Sequence, residues 1–220
     1  MADGSPVRAV IFDLDGTLVD SLQGITGSMN AVLEAHGRPA IPAARIRSYL
    51  GDGLADLIRK CLDERVELDR PPVEALVSEY RAHHLEHLLD HTRPYPGVEA
   101  MLERLQGRPL AVVTNKAEES ALRVLEGLGL TRHFASIAGA DTHSEKKPSA
   151  LPLRHAMGVM GSTPEETVMV GDGLPDVGAA LAASVTPVAV LYGFTARAAL
   201  EAAGARRFAR DVEELDQILG

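Results

Sequence analysis

A buried-strand pattern that ends on two carboxylates constrains this chain more than any other stretch. Val7-Arg8-Ala9-Val10-Ile11-Phe12 is apolar and rich in β-branched residues, and it predicts a buried strand. Asp13-Leu14-Asp15-Gly16-Thr17-Leu18 follows at once. Gly16 allows a sharp turn and a close approach to a bound group. In α/β sheets, the carboxyl end of a strand is where ligands sit. Two acids two residues apart repel each other unless a cation or a shared proton intervenes. A turn that merely contains two aspartates is the blander alternative, since Asp and Gly favour turns.

The next seventy residues read as helical. Leu22, Ile25, Met29, Val32 and Leu33 recur at helical spacing, and Gly37 with Pro39 closes that helix. A short helix over 41–49 and the loop Leu50-Gly51-Asp52-Gly53 follow. A helical face then runs through Leu54, Leu57, Ile58, Cys61 and Leu62, and a longer helix opens at Pro71-Pro72. No strand pattern occurs over 21–91. Beyond Arg93-Pro94-Tyr95-Pro96-Gly97 the text alternates. Strands are predicted at 109–113, 136–139, 167–170 and 187–191, with helices at 96–105, 117–128, 148–160, 175–183, 195–203 and 212–219. Phe208 marks a short edge strand. The expectation is an α/β fold: a Rossmann-like, doubly wound parallel sheet over 1–20 and 92–220, with an all-α helical cap inserted over 21–91.

A parallel sheet gathers strand ends on one edge, so Asp13/Asp15, Thr114/Asn115 and Asp172/Asp176 converge there. Their oxygens suit a hard cation such as Mg²⁺. Thr114 adds a hydroxyl and Lys147 an ammonium. This inventory matches phosphoryl transfer, which needs a nucleophile, neutralisation of the phosphoryl oxygens and an acid for the leaving oxygen. Without the other motifs, Thr114 and Asn115 read equally well as a helix cap.

Four motifs in this order resemble the capped phosphatases of the haloacid dehalogenase superfamily. They are Asp13-Leu14-Asp15-Gly16-Thr17-Leu18-Val19-Asp20-Ser21, Val113-Thr114-Asn115-Lys116, Lys147-Pro148, and Gly171-Asp172 with Asp176. Asn115-Lys116, Tyr95-Pro96-Gly97-Val98, Leu50-Gly51-Asp52-Gly53-Leu54 and Tyr192-Gly193-Phe194 resemble its phosphoglycolate phosphatase subgroup. The chain departs from the usual pattern at Ala150, where a proline is frequent, and at Gly173, where a serine is.

The resemblance implies a Mg²⁺-dependent phosphatase. In that reading Asp13 attacks phosphorus and becomes an aspartyl-phosphate, and Asp15 acts as acid and then base. Thr114 and the Asn115 amide hold phosphoryl oxygens, and Lys147 neutralises charge. Asp13, the Asp15 carbonyl and Asp172 bind the metal, with Asp176 in support. The cap loop at Gly51 and Gly53 is expected to contact a small substrate, 2-phosphoglycolate foremost. Asp15 is expected to be protonated in the first step, its pKa raised by neighbouring negative charge. A sugar phosphomutase of the same superfamily and a phospho-accepting signalling domain are the alternatives.

Bulk properties narrow the partners. A formal charge of −9 argues against nucleic acid, which needs a basic face. The single cysteine, Cys61, excludes an intrachain disulfide and fits a reducing compartment. No apolar run spans a membrane and the first five residues are no signal peptide, so a soluble cytoplasmic protein is expected; its partner is expected to be a small phosphorylated metabolite, with the chain a monomer or homodimer. Of the 22 basic side chains only Lys60, Lys116, Lys146 and Lys147 are lysines, and three of these fall in the two loops expected at the site. Lys60 and Lys146 read as solvated, and Cys61 as core. His83, His84, His87 and His91 share one helical stretch, which reads as a solvent-facing cap helix rather than a metal site.

Overall fold

The computed structural model describes residues 7–62 and 72–220. Pro71, expected to open a helix, lies outside them. Strand β1 (Ala9–Phe12) is the run of the opening motif, and all four of its side chains are buried. Strands β4 (Leu110–Val113), β5 (Ser136–Ala138), β6 (Thr167–Gly171), β7 (Thr186–Val190) and β8 (Arg207–Ala209) complete a six-stranded sheet. Its order is β5-β4-β1-β6-β7-β8, and every pairing is parallel. The apolar runs without alternation come from burial on both faces.

Side-chain alternation along β1 assigns the faces. Val10 and Phe12 join the larger cluster, which includes Val98, Met101 and Leu102 of α5 (Val98–Arg104). Ala121, Val124 and Leu125 of α6 (Glu118–Gly127), with Leu215 and Leu219 of α10 (Val212–Leu219), complete that layer. Ala9 and Ile11 point the other way, to Leu153, Ala156 and Met157 of α7 (Leu151–Met160) and to Ala179 and Ala180 of α8 (Leu174–Ala182). Leu200 of α9 (Arg197–Ala203) packs beside Val177 and Ala189. Truncating Phe12 to Ala would cost about 3–5 kcal/mol, because the ring is fully buried in the larger cluster.

Helices α1 (Leu22–Ala35), α2 (Ala43–Arg47), α3 (Leu54–Cys61) and α4 (Val73–Glu86) build a separate apolar cluster. Ile25, Met29, Val32 and Leu33 of α1 meet Ile46, Leu57, Ile58, Leu76 and Tyr80 there. Cys61 is buried in the same cluster, and burial pushes its thiol up to about 11 against the opposing charge of Arg45. No strand occurs over residues 21–91 among those described. The chain leaves and re-enters the sheet layer through β2 (Val19–Asp20) and β3 (Arg93–Pro94), paired antiparallel. No described helix is long and apolar enough to cross a membrane.

Helix starts differ from the sequence expectation where punctuation intervenes. Helix α5 begins at Val98 rather than residue 96, because Gly97 adopts a left-handed φ of 94°. Helix α7 begins at Leu151 rather than residue 148, after a turn in which the Ser149 hydroxyl accepts from the Leu151 amide.

Candidate active site

Asp13, Thr114 and Asp172 each directly follow the last residue of β1, β4 and β6, three adjacent parallel strands. The sheet therefore places them side by side, as the sequence pattern anticipates. Asp176 reaches the same point from the first turn of α8, where its carboxylate accepts from the Gly173 amide at 2.8 Å. Carboxylate oxygens of Asp13, Asp172 and Asp176 lie within 4.8 Å of one another.

Lys147 is buried among them. Its Nζ lies 2.9 Å from Asp13 Oδ1 and 2.5 Å from Asp176 Oδ1, and donates to the last carbonyl of β4, Val113, at 2.6 Å. Burial alone would lower the lysine's pKa, but Asp13 and Asp176 outweigh it, so the ammonium stays charged. One ammonium does not balance three carboxylates. Burial and then Asp176 push Asp13 up to about 6, with Lys147 opposing. Burial, Asp13 and Asp176 raise Asp172 well above the carboxylate range. Excess negative charge on clustered oxygen donors fits a hard divalent cation, which would relieve the repulsion that protonation otherwise relieves.

Asp172 is held from both sides. Its Oδ2 accepts from the Phe194 amide at 2.6 Å, and Thr17 Oγ1 lies 3.4 Å from its Oδ1. Gly16, at φ 84°, lies so close that an added Cβ would collide with that carboxylate. A glycine is required there by both backbone and space.

Asp15 departs from expectation. Its side chain joins a different set: Lys116 Nζ at 3.1 Å and the Ser21 hydroxyl, which donates at 2.6 Å. Burial would raise its pKa, but Lys116 and Ser21 outweigh burial and lower it. The expected upward shift is thus corrected: the nearest charge is a cation, and Asp15 is an ionised carboxylate in this arrangement.

Behind Lys116 stands His84 of α4, its Nε2 3.2 Å from Lys116 Nζ and its Nδ1 3.1 Å from Ser28 Oγ of α1. Burial and then Lys116 depress the imidazole to about 3, so it is neutral. The expectation of a solvent-facing histidine group fails at this residue. His91 lies beyond the end of α4, and the His83 and His87 rings sit 4.5 Å apart between centroids, tilted by 36°. Sequence reasoning assigned no role to His84: helical spacing gives no sign of which histidine turns inward. Lys116 carried one signal, its place among the scarce lysines of the site loops.

A cavity of about 290 Å³ lies between the strand ends and α1, α3 and α4. Asp13, Asp15, Thr114, Asn115 and Lys147 line it from the sheet side, and Gly51 and Gly53 from the helical side. The Asn115 side-chain amide donates to the Gly51 carbonyl at 3.1 Å and to the Lys147 carbonyl at 3.0 Å. Lys146, expected to be merely solvated, donates to the Asp52 carbonyl at 2.5 Å. The Asp52 carboxylate instead pairs with Lys60 at 2.8 Å in a solvent-exposed pair, so Lys60 is on the surface, as expected.

A family model described as haloacid dehalogenase-like hydrolase matches residues 10–190. The chain belongs to that family. It is a hydrolase by that membership. A phosphoglycolate phosphatase of Chromobacterium violaceum is 47% identical over 193 residues, covering 86% of each chain. One of Neisseria meningitidis is 44% identical over 192 residues, covering 86% of this chain and 82% of that protein. A crystal structure from Haemophilus somnus, described as a predicted phosphoglycolate phosphatase, superposes with a TM-score of 0.89 at 28% identity, covering 97% of this chain and 98% of that one.

Proposed function

We propose that the chain is a Mg²⁺-dependent phosphatase that hydrolyses a small phosphomonoester, 2-phosphoglycolate foremost, through an aspartyl-phosphate on Asp13. One observation carries this reading: a carboxylate at a strand end faces a cavity, with a buried ammonium 2.9 Å from it and two further carboxylates beside it. The relatives' shared name supplies the substrate.

In this reading an Asp13 oxygen forms a bond to phosphorus while the bond from phosphorus to the leaving oxygen breaks. Asp15 hands a proton to that oxygen, and later removes one from the water that attacks the aspartyl-phosphate. Asp15 starts ionised beside Lys116, so the negative charge of the arriving phosphoryl group serves to draw a proton onto it. Thr114 and the backbone amide of Asn115 hold phosphoryl oxygens, and Lys147 stays charged to offset the repulsion between nucleophile and ester. Asp13, Asp172 and the Asp15 carbonyl would hold Mg²⁺, with Asp176 keeping Lys147 in place. The cation supplies further charge neutralisation at the phosphoryl oxygens.

Residues 21–91 act as a lid on a core formed by 1–20 and 92–220, with ribbon β2–β3 as the connection. Closing the lid excludes water and strengthens the charge interactions beneath it. A closed site of this size suits a small ester rather than a phosphoprotein. The test is turnover of 2-phosphoglycolate, sugar phosphates, a nucleoside monophosphate and a phosphopeptide, each with Mg²⁺ and with chelator. The small esters should lead and chelator should abolish activity. Full activity in chelator, or a phosphopeptide leading the panel, would overturn the reading.

A further inference from the structure

We propose that Arg81 of α4 is the residue that selects the substrate, by binding a carboxylate carried on the same small molecule as the phosphoryl group. This rests on the phosphatase reading above and deepens it: the substrate class becomes a short phosphomonoester with a second anionic end.

Val77, Tyr80, Arg81 and His84 line the cavity at spacings i, i+3, i+4 and i+7, which places them on one face of α4. Of these, Val77 and Tyr80 supply apolar and aromatic surface, and His84 is neutral and committed to Ser28 and Lys116. Arg81 is the charged group of that face left over.

The cavity's charges lead to the same residue. Four carboxylates line it, Asp13, Asp15, Asp172 and Asp176, and four cations, Arg81, Lys116, Lys146 and Lys147. Lys147 is paired with Asp13 and Asp176, and Lys116 with Asp15. Lys146 holds the backbone of the helical-side loop at Asp52. Among the described residues, Arg81 has no carboxylate or carbonyl partner, although it lies on a chain with a formal charge of −9. A guanidinium presents a planar pair of donors that matches a carboxylate in two parallel hydrogen bonds. It lines the cavity from the helical side, and its long stem would let it reach a ligand held at Asp13. A substrate with one anion at each end would be gripped by sheet and lid together, whereas a neutral-ended ester would leave the guanidinium without a partner.

The experiment compares kcat/KM for 2-phosphoglycolate with that for ethyl phosphate, which has the same length and no carboxylate, in wild type, Arg81→Met, Arg81→Lys and Lys146→Met. Wild type should prefer 2-phosphoglycolate. Arg81→Met should cut that preference by about tenfold to a hundredfold, mainly through KM, since a charge-assisted pair of hydrogen bonds carries an effect of that size. Arg81→Lys should restore part of it by returning the charge without the fork. The proposal is overturned if Arg81→Met lowers both substrates equally, if it lowers neither, or if the preference follows Lys146→Met instead. If wild type turns over neither ester, the phosphatase reading fails, which is a different result from a preference that ignores Arg81. Because Arg81 is exposed on its helix, the variant is expected to fold, and an unchanged far-UV spectrum and melting temperature check this.

Discussion

The ammonium of Lys116 lies 3.1 Å from the carboxylate of Asp15, across 101 residues of sequence and over the floor of the cavity. Both side chains are largely shielded from solvent, at 8% and 18% exposure, so neither charge is fully hydrated without the other. Lys116→Met would leave Asp15 with the Ser21 hydroxyl as its remaining partner. Stability should fall by about 1–3 kcal/mol, less than for a wholly buried pair because cavity water can reach the carboxylate. Urea unfolding should show a lower midpoint at constant slope. An unchanged midpoint would mean the pair contributes nothing net.

That pair also marks how far the sequence could be read. Strands β1, β4, β6 and β7 are continuous apolar runs buried on both faces, and such runs announce themselves. The acids following β1 and β6 were legible because a parallel sheet brings its carboxyl ends together whatever the spacing between them. Partnerships between particular side chains were not. Nothing in the text says that His84, rather than His83 or His87, turns inward, or that Lys116 meets Asp15. The sign of the Asp15 shift came out reversed for that reason: sequence proximity offered Asp13 as its neighbour, while the fold supplied Lys116. Ribbon β2–β3 was hidden because each strand has two residues and one of them is Pro94.

The buried His84 predicts a pH dependence of stability. The unfolded imidazole gains a proton as pH falls through 6.5, whereas the folded one stays neutral to about 3. More protons are then bound by the unfolded state, so stability complete above 6.5 is lost as the pH falls toward 3, by about 1 kcal/mol per unit. Asp13 works the other way, since its folded pKa of about 6 lies above the ordinary 3.8. Both wild type and His84→Asn keep Asp13, so the difference between their stabilities isolates His84. Wild type should lose more than the variant between pH 6.5 and 4. Parallel curves would show that the imidazole is not held neutral.

Metal and carboxylate repulsion can be separated by melting temperature. Asp172 is raised by burial and by two like charges, so Asp172→Asn should melt about 2–4 °C above wild type in chelator, as one relieved repulsion of about 1 kcal/mol would give in a chain of this size. The Asn oxygen can still accept from the Phe194 amide. Mg²⁺ should raise the wild-type melting temperature and leave the variant unmoved. Equal responses of the two proteins would remove Asp172 from the metal set.

Gly53 has a φ of 97°, and a Cβ there would lie 2.8 Å from Lys146 Nζ. Gly53→Val therefore strains the backbone and displaces the ammonium that holds the Asp52 carbonyl. We expect KM for a small ester to rise severalfold with a modest loss of stability, measured by steady-state kinetics and thermal melting. Unaltered KM would mean the loop does not shape the closed site.

Arg47 of α2 reaches across the cleft to the carbonyl of Gly193 and, at 3.2 Å, to that of Phe194. The amide of Phe194 in turn donates to Asp172 Oδ2 at 2.6 Å. One exposed guanidinium on the helical layer thus grips the loop whose amide fixes Asp172, one of the three clustered carboxylates. If residues 21–91 open and close as a lid, opening must release these two carbonyls, and the loop that orients Asp172 then loses its tether. Arg47→Met should leave the fold intact, because Arg47 is exposed and solvent-facing hydrogen bonds contribute only about 1 kcal/mol each. It should nevertheless raise the Mg²⁺ concentration needed for half-maximal activity severalfold and lower kcat. Arg47→Lys should recover little, since one ammonium cannot reproduce the spread of a guanidinium over two neighbouring carbonyls. The measurement is activity against Mg²⁺ at saturating substrate for the three proteins. A loss in kcat with unchanged Mg²⁺ dependence would show that Arg47 holds the lid without reaching Asp172, and no loss at all would show that closure does not depend on it.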